Sequence, residues 1–452
     1  MRFYFRDAVR LVSTTVVVTV IYLFWRKLFL PSVVINNYNR YELHQQMLPK
    51  LEKIKIQTNN DPSRSKQQSF TSYGNCAMLL SGEAPANVME DARHWLLDNY
   101  RSDKELVILT QDCAVFRDLY YFPTAPNSRA ENLYPLAYVI FAKRSVDQLF
   151  RMLQAIYWPQ NAYCIHIDLY ALDATKQAIK QGIKCIDTNV MLSNLSFDTY
   201  SKATLSCFKQ LANRSWHHVQ VITSEDFPLK SNAESIRIFQ ALNNSNDITA
   251  SSLSKQVDLH LKFNSGKYLP PIEVEAFVGI GSVHSSLSRA FIEYVFKNQN
   301  ALQYYSYVRE ISYADRIYWT SLIHNVHLDA PGNFPGICIR QYEYYRKSKP
   351  TISAYRISFD QLGCYSNLWD NDACIFGVDN VAELAQRPEI FAHNVLIHFQ
   401  PAAFSCLSEL IANATRVPRS LDLAYYEELP NVRFNKLRNP IAFKCMRNWT
   451  LP

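Results

Sequence analysis

Apolar runs and amphipathic stretches alternate along the middle of the chain. Continuous apolar runs, typical of buried strands, occupy residues 136–142, 162–168, 189–192 and 218–224. Between them the apolar residues recur at helical spacing, which predicts helices over 171–183, 204–213 and 233–243. A further helix begins at Ser145, where Gln148 three residues on predicts a capping box.

This alternation predicts an α/β fold with a mostly parallel sheet and helices on both faces. Such sheets bind ligands at the carboxyl ends of their strands. Asp168 and the pair Glu225-Asp226 follow predicted strands. We therefore expect these carboxylates where a nucleotide would bind.

The first seventy residues differ from the rest. Residues 1–10 are predicted to be a cytoplasmic tail and 11–30 a signal-anchor helix, with Arg26 and Lys27 at the membrane interface. A cleaved signal peptide is the alternative, but no small-residue cleavage site follows the apolar run. The polar segment 31–70, with a short helix near 48–56, is predicted to be a stem, and 71–452 a globular domain.

Cysteines and glycosylation motifs favour an oxidising lumen for this domain. The ten cysteines all lie between Cys76 and Cys445, without the paired spacing of a zinc site. Sequons for N-glycosylation occur at Asn194, Asn213, Asn243, Asn413 and Asn448.

Composition and motifs exclude several classes of protein. The net charge of +7 is spread along the chain without a basic block, which argues against nucleic-acid binding. Dinucleotide-binding, Walker, HExxH and G-x-S-x-G motifs are missing from the sequence.

Several local strings resemble the core-2/I-branching N-acetylglucosaminyltransferase family. The strings are "RMLQAIYWPQNAYCIHID", "DFPLKSNAE", "GSVHSSLSRAFIEYV" (family pattern GSxxxxLSRxFxxYV), "CIFG" and "PAAFSCL". The resemblance covers about 76–407, with the branching-enzyme core over about 134–407. It implies a GT-A-like Rossmann-type fold and a type II Golgi membrane protein. It also implies transfer of N-acetylglucosamine from UDP-GlcNAc with inversion and without a metal ion. A related branch of the family transfers xylose.

The resemblance assigns roles to particular residues. Asp315 in "SYADRIYW" stands at the position of the family's catalytic Glu, the base that deprotonates the acceptor hydroxyl. The alternative is that Asp315 is a surface or capping carboxylate. Asp168 matches a nucleotide-contacting Asp, although a turn-capping role is the alternative. Asp226 is a donor-site candidate that could instead orient a loop. Tyr342 and Tyr344 resemble an aromatic pair that stacks on the acceptor sugar, or they are alternate residues of a buried strand.

The chain also departs from the family pattern. Asn371 and Asn394 replace an Arg and the Lys of an Ala-Asn-Lys string, which neutralise the donor diphosphate in the metal-independent members. Arg387, Lys347 or His393 could compensate. The string Asp370-Asn371-Asp372 has the D-x-D form that binds Mn²⁺ in other GT-A enzymes, which is a competing hypothesis.

The resemblance further implies the disulfides Cys76–Cys406, Cys113–Cys185, Cys164–Cys207 and Cys364–Cys374. It leaves Cys338 and Cys445 as a fifth bridge or as free thiols. The predicted function is transfer of N-acetylglucosamine to an acceptor glycan or glycoprotein. The alternatives are a catalytically degenerate lumenal binding protein and a xylosyltransferase.

Overall fold

The computed structural model describes residues 72–193, 200–252, 273–275, 277–279, 284–309, 314–344, 351–359, 361–370, 372–437 and 443–445, with the backbone alone for 252, 278–279, 314–316 and 342–344. The predicted tail, anchor and stem lie outside these residues. Within the described part, no helix is both long and apolar enough to cross a membrane.

The described residues form short strands and helices. The strands are β1 (Leu136–Ala142), β2 (Ala162–Ile167), β3 (Val190–Leu192), β4 (His218–Thr223), β5 (Phe227–Pro228), β6 (Asp247–Ile248), β7 (Ala250–Ser252), β8 (Phe277–Gly279), β9 (Ser285–Ser288), β10 (Ala354–Tyr355), β11 (Trp369–Asp370), β12 (Ala373–Cys374) and β13 (Phe391–Ala392). The helices are α1 (Cys76–Ser81), α2 (Ala86–His94), α3 (Asp103–Leu109), α4 (Cys113–Leu119), α5 (Arg129–Leu133), α6 (Val146–Ile156), α7 (Asp173–Lys184), α8 (Tyr200–Leu211), α9 (Asn232–Leu242), α10 (Arg289–Lys297), α11 (Gln299–Val308), α12 (Ala314–His324), α13 (Gly336–Tyr344), α14 (Val381–Gln386), α15 (Pro401–Arg416), α16 (Leu423–Glu427) and α17 (Pro430–Lys436).

The main sheet has the strand order β3-β2-β1-β4-β9-β6. Its first four strands are parallel, whereas β9 pairs antiparallel with both β4 and β6. The strands that the apolar runs predict are therefore the parallel part. The antiparallel edge comes from short polar strands that carry no comparable signal. The α/β class is confirmed as a mixed, mainly parallel sheet.

Helices cover both faces of this sheet. Along β1, Leu136, Tyr138 and Ile140 pack into a core with α6, α7 and α9. The alternate residues Val139 and Phe141 pack into a second core with α8, α10 and α12. Every residue of β1 is buried. A strand buried on both faces needs a continuous apolar sequence, which explains why its pattern does not alternate.

A smaller sheet, with the order β10-β13-β5, lies beyond the end of β4. β5 runs antiparallel to β13, and Phe227 pairs with Ala392. Asp226 precedes Phe227 and His393 follows Ala392, so this antiparallel register places Asp226 opposite His393.

Disulfides join segments that are far apart in sequence. The four pairs that the resemblance implies are all present, and Cys338 bonds to Cys445 as a fifth. The longest bridge, Cys76–Cys406, joins α1 to α15 across 330 positions. Asn213, Asn243 and Asn413 are exposed, while the sequons at Asn194 and Asn448 fall outside the described residues.

Candidate functional site

The topology of the main sheet predicts a ligand-binding crevice at its carboxyl edge. From β1 the chain proceeds to β2 and β3 on one side, and then returns to β4 on the other side of β1. Ligands of open α/β sheets bind where the strand order reverses in this way. The loops after β1 and β4 therefore border the expected site. The two loops touch, because the backbone N–H of Lys143 donates to the side-chain Oγ of Ser224 (3.3 Å).

Two cations lie on the loop after β1. Arg144 contacts Glu225 (Nε to Oε1, 3.1 Å) and Asp370 (Nη2 to Oδ2, 2.8 Å). The Arg144 side chain is still 42% exposed, whereas that of Glu225 is 4% exposed. Burial by itself would lower the pKa of the Lys143 ammonium, but Glu225 and Tyr200 outweigh it and raise that pKa. Both groups are therefore positively charged at neutral pH.

Asp226 lies at the centre of a buried cluster with two histidines. Its Oδ2 accepts from His284 Nε2 (2.5 Å) and from the Thr223 N–H (2.6 Å). Its Oδ1 accepts from His393 Nδ1 (2.6 Å). Asp226 is completely buried, and the two histidines are 7% and 9% exposed. The bond from the Thr223 N–H accounts for the loop-orienting role of Asp226, and a contact between Asp226 and the donor stays a prediction.

Electrostatics fix the charge of this cluster. Burial by itself would raise the pKa of the Asp226 carboxyl, but His284 and His393 outweigh it and hold that pKa well below its usual value. Burial lowers the pKa of His284, and the opposing effect of Asp226 does not overcome it. At neutral pH the cluster therefore contains a carboxylate and a neutral His284 imidazole.

Gln148 braces the loops around this cluster. Its Nε2 donates to the carbonyls of Ser224 (2.9 Å) and Val395 (3.1 Å), and its Oε1 accepts from the Ile397 N–H (3.0 Å). The predicted capping box is therefore wrong in part. Ser145 Oγ accepts from the Gln148 N–H (3.2 Å), but the Gln148 side chain does not return to Ser145.

Asp168 lies at the end of β2, as predicted, and shapes a turn. Its Oδ1 accepts from the Tyr170 N–H (2.8 Å), and its carbonyl accepts from the Ala171 N–H (3.1 Å). The side chain is half-buried. The geometry accounts for the turn-capping role, and a contact between Asp168 and a nucleotide stays a prediction.

For the predicted base, Asp315, and the predicted aromatic pair, Tyr342 and Tyr344, the structure describes the backbone alone. Asp315 is the second residue of α12, and Tyr342 and Tyr344 lie in α13. The strand alternative for the tyrosines is therefore wrong. Positions two apart on a helix do not face the same way, so a paired stacking surface is not expected from this element.

Of the two positions that depart from the family pattern, Asn394 lies beside the smaller sheet, just after β13. Asn371 falls outside the described residues. Asn394 is completely buried, with its Nδ2 donating to the Ala373 carbonyl (3.3 Å). Of the D-x-D string, Asp370 contacts Arg144, whereas Asp372 contacts Arg356 (3.3 Å).

Of the suggested substitutes for the missing cations, Lys347 lies outside the described residues. Arg387 pairs with Glu389 (2.7 Å) and lies over the Tyr355 ring, 3.8 Å from its centroid. His393 belongs to the Asp226 cluster.

Sequence reasoning did not assign Lys143, Arg144 or His284 to the site. Lys143 and Arg144 directly follow a predicted strand, so the rule that selected Asp168 could have found them. His284 carries no local signal. It lies 58 positions from Asp226, and His393 lies 167 positions from it.

Comparisons with known proteins cover the part of the chain that contains β1 and β4. Residues 136–348 match the family described as Core-2/I-Branching enzyme. A probable beta-1,3-galactosyl-O-glycosyl-glycoprotein beta-1,6-N-acetylglucosaminyltransferase 7 from Sus scrofa is 27% identical over 322 residues, which are 66% of this chain and 72% of that protein. Transferase 4 of the same description, from Mus musculus, is 26% identical over 70% of this chain and 73% of its own length.

Transferase 3 of this description, from Homo sapiens, is 25% identical over 75% of this chain and 82% of its own length. Among solved structures, the mannosyltransferase PcManGT from Pyrobaculum calidifontis, in complex with GDP-Man and Mn²⁺, aligns at 10% identity. The alignment covers 72% of this chain and 89% of that one, with a TM-score of 0.25. A TM-score this low does not establish a shared fold.

Proposed function

Because this chain belongs to the core-2/I-branching enzyme family of glycosyltransferases, we propose that it transfers N-acetylglucosamine from UDP-GlcNAc to an acceptor glycan. The reaction would be an inverting one, such as β-1,6 branching of O-glycans. The observation that carries the proposal is the reversal of strand order between β1 and β4. It lies within the family domain, and Lys143 and Arg144 border it.

We propose that these two cations offset the charge of the leaving nucleotide diphosphate. Fixed positive groups that face developing negative charge can contribute several kcal/mol to transition-state stabilisation. Asn371 and Asn394 are neutral, and Asn394 is buried, so the charge must come from other residues. Lys143 and Arg144 are charged and follow the strand at the strand-order reversal, which favours them over Arg387.

Inversion requires a base and no covalent intermediate. The Asp315 carboxylate would take the proton of the acceptor hydroxyl while that oxygen attacks the anomeric carbon and the nucleotide leaves from the opposite side. The transfer step as proposed uses no metal ion at the D-x-D string. The contacts of Asp370 with Arg144 and of Asp372 with Arg356 support this, because the two carboxylates are not directed at one shared position.

The test is transfer by the full chain from UDP-GlcNAc to a core-1 O-glycan acceptor, comparing the wild type with two variants at residue 315. Asp315→Asn cannot accept the proton, and we expect a loss of kcat of at least about 100-fold. Asp315→Glu restores the family's base and is the matched control. It should retain at least wild-type activity, since an extra methylene places the carboxylate as in the family.

Full activity in Asp315→Asn would show that residue 315 is not the base. Binding of UDP without turnover in the wild type would instead support the degenerate binding protein, which the neutral Asn394 favours. Turnover of UDP-xylose in place of UDP-GlcNAc would identify a xylosyltransferase.

We further propose a GT-A-like fold and a type II arrangement in the Golgi membrane. Residues 11–30 would be the anchor and the domain from about 71 would lie in the lumen. The mainly parallel sheet supports the fold, and the disulfides and exposed sequons support the location.

A further inference from the structure

Three separate segments converge on one buried point at the carboxyl edge of the main sheet. Asp226 follows β4, His284 precedes β9, and His393 follows β13. Pairing of β5 with β13 sets Asp226 opposite His393, while pairing of β4 with β9 brings His284 to the same edge. The backbone pairing of two different sheets therefore determines which side chains meet.

The three side chains are a recognised set of metal ligands. Two imidazole nitrogens and one carboxylate bind Zn²⁺ in many proteins. The candidate atoms of Asp226, His284 and His393 lie within 4.8 Å of one another. The His284 and His393 rings are edge-to-face, with centroids 4.7 Å apart. Among the described residues, no other three such side chains come together in this way.

Backbone bonds hold two of the three ligands in place. The Thr223 N–H donates to Asp226 Oδ2 (2.6 Å), and the backbone N–H of His393 donates to the Tyr355 carbonyl (2.9 Å). Supporting contacts of this kind orient ligands in metal sites.

We propose that Asp226, His284 and His393 bind one Zn²⁺ ion, which cross-links the β4–β5 loop, the start of β9 and the segment after β13. Bonds of about 2.0–2.2 Å place ligand atoms roughly 3–3.5 Å apart in a tetrahedral site. In the structure the imidazole nitrogens lie 2.5 and 2.6 Å from the Asp226 oxygens, so metal binding requires the two rings to move outward. A water molecule completes the coordination. Metal content is measured without turnover, so this proposal can fail while the proposed transfer step stands.

The site is a property of this chain and not of the family pattern. His393 occupies the Asn position of the family's Ala-Asn-Lys string, and His284 lies at an unspecified position of GSxxxxLSR. A single change, His393→Asn, therefore restores the family residue and removes a ligand. It is a conservative variant for the test.

The experiment measures metal content and thermal unfolding of the full chain, purified without chelators. We expect about one zinc per chain, a lower melting temperature after its removal, and recovery when Zn²⁺ is added back. Reconstitution with Co²⁺ should give the visible d–d absorption of a tetrahedral site. His393→Asn and His284→Gln should weaken binding at least about tenfold. His94→Gln, an exposed histidine in α2, is the control and should leave the zinc content unchanged.

The alternative is that hydrogen bonds alone, without a metal ion, hold Asp226, His284 and His393 together. The wild type would then contain no zinc, show no Co²⁺ absorption, and melt at the same temperature with and without Zn²⁺. Any of these outcomes overturns the proposal, as does full zinc content in His393→Asn. If a variant fails to fold, the wild-type metal content and the Co²⁺ spectrum decide alone.

Discussion

The amide group of Gln148 makes its contacts far from its own helix. It bonds the backbone at Ser224, Val395 and Ile397, which lie on the two loops that carry Asp226 and His393. A Glu or Gln three residues after a cap normally returns to that cap. Ser231 and Glu234 form such a reciprocal box at the start of α9. At the start of α6, the Gln148 side chain instead bonds to backbone groups of the two nearby loops.

Replacing Gln148 should therefore cost more stability than replacing its cap. Gln148→Met keeps the length of the side chain but leaves three buried backbone groups without a partner, for which we expect a loss of about 2–4 kcal/mol in the free energy of unfolding. Ser145→Ala removes the cap bond alone and should cost about 1 kcal/mol. Denaturant unfolding of the two variants measures both values. Equal losses would mean that Gln148 acts within its own helix.

At the scale of elements, α7 packs closely on the helices beside it. A methyl group at Gly182 would lie 2.4 Å from Phe150 Cζ and 3.1 Å from Phe116 Cε2. Neither ring has room to move, because Phe150 and Phe116 are completely buried and pack edge-to-face at 5.0 Å. The glycine thus permits an approach that a side chain would prevent.

We predict that Gly182→Ala destabilises the protein although it favours the helix. Alanine gains up to about 1 kcal/mol over glycine in helix propensity. Overpacking a rigid core costs about 1–3 kcal/mol, so a net loss of about 1–2 kcal/mol is expected in denaturant unfolding. Gly74→Ala is the control, because nothing lies within 4 Å of the added carbon, and it should be close to neutral. A stabilised Gly182→Ala would show that Phe150 can turn aside.

At the scale of the whole molecule, the disulfides and the exposed glycosylation sequons indicate an oxidising compartment. All the described cysteines are in disulfides. One of these bonds, Cys76–Cys406, connects the first described helix, α1, to α15. Such bridges persist in oxidising compartments. The Asn side chains of the described sequons lie at the surface, where an oligosaccharide is accommodated without disturbing the core.

We therefore predict that the chain made in animal cells is both glycosylated and fully oxidised. Treatment with an N-glycosidase should increase its electrophoretic mobility, and replacing Asn213, Asn243 and Asn413 by Gln should remove most of that shift. Alkylation of the denatured but unreduced chain should label no cysteine, because each of the ten is paired. Unglycosylated chain with reactive thiols would contradict a lumenal location.

Much of the fold was accessible from the sequence because its signals are local. The apolar runs of β1, β2 and β4 and the helical periodicity of α6, α7 and α9 predict elements within a few residues of their observed ends. Asp168 and Asp226 were placed correctly after strands, since topology alone brings carboxyl ends to one edge. The short strands β5, β9 and β13 carry no such pattern, because tertiary pairing rather than local burial defines them.

By itself the sequence determined the class of fold and the resemblance to a family, because each depends on residues close together in the chain. The tertiary structure decided which distant side chains meet. The register of β5 on β13 and of β4 on β9 joined Asp226 to His393 and His284, and the same packing drew Gln148 away from its cap. Contacts across such separations depend on how whole elements pack, and no local spacing records them.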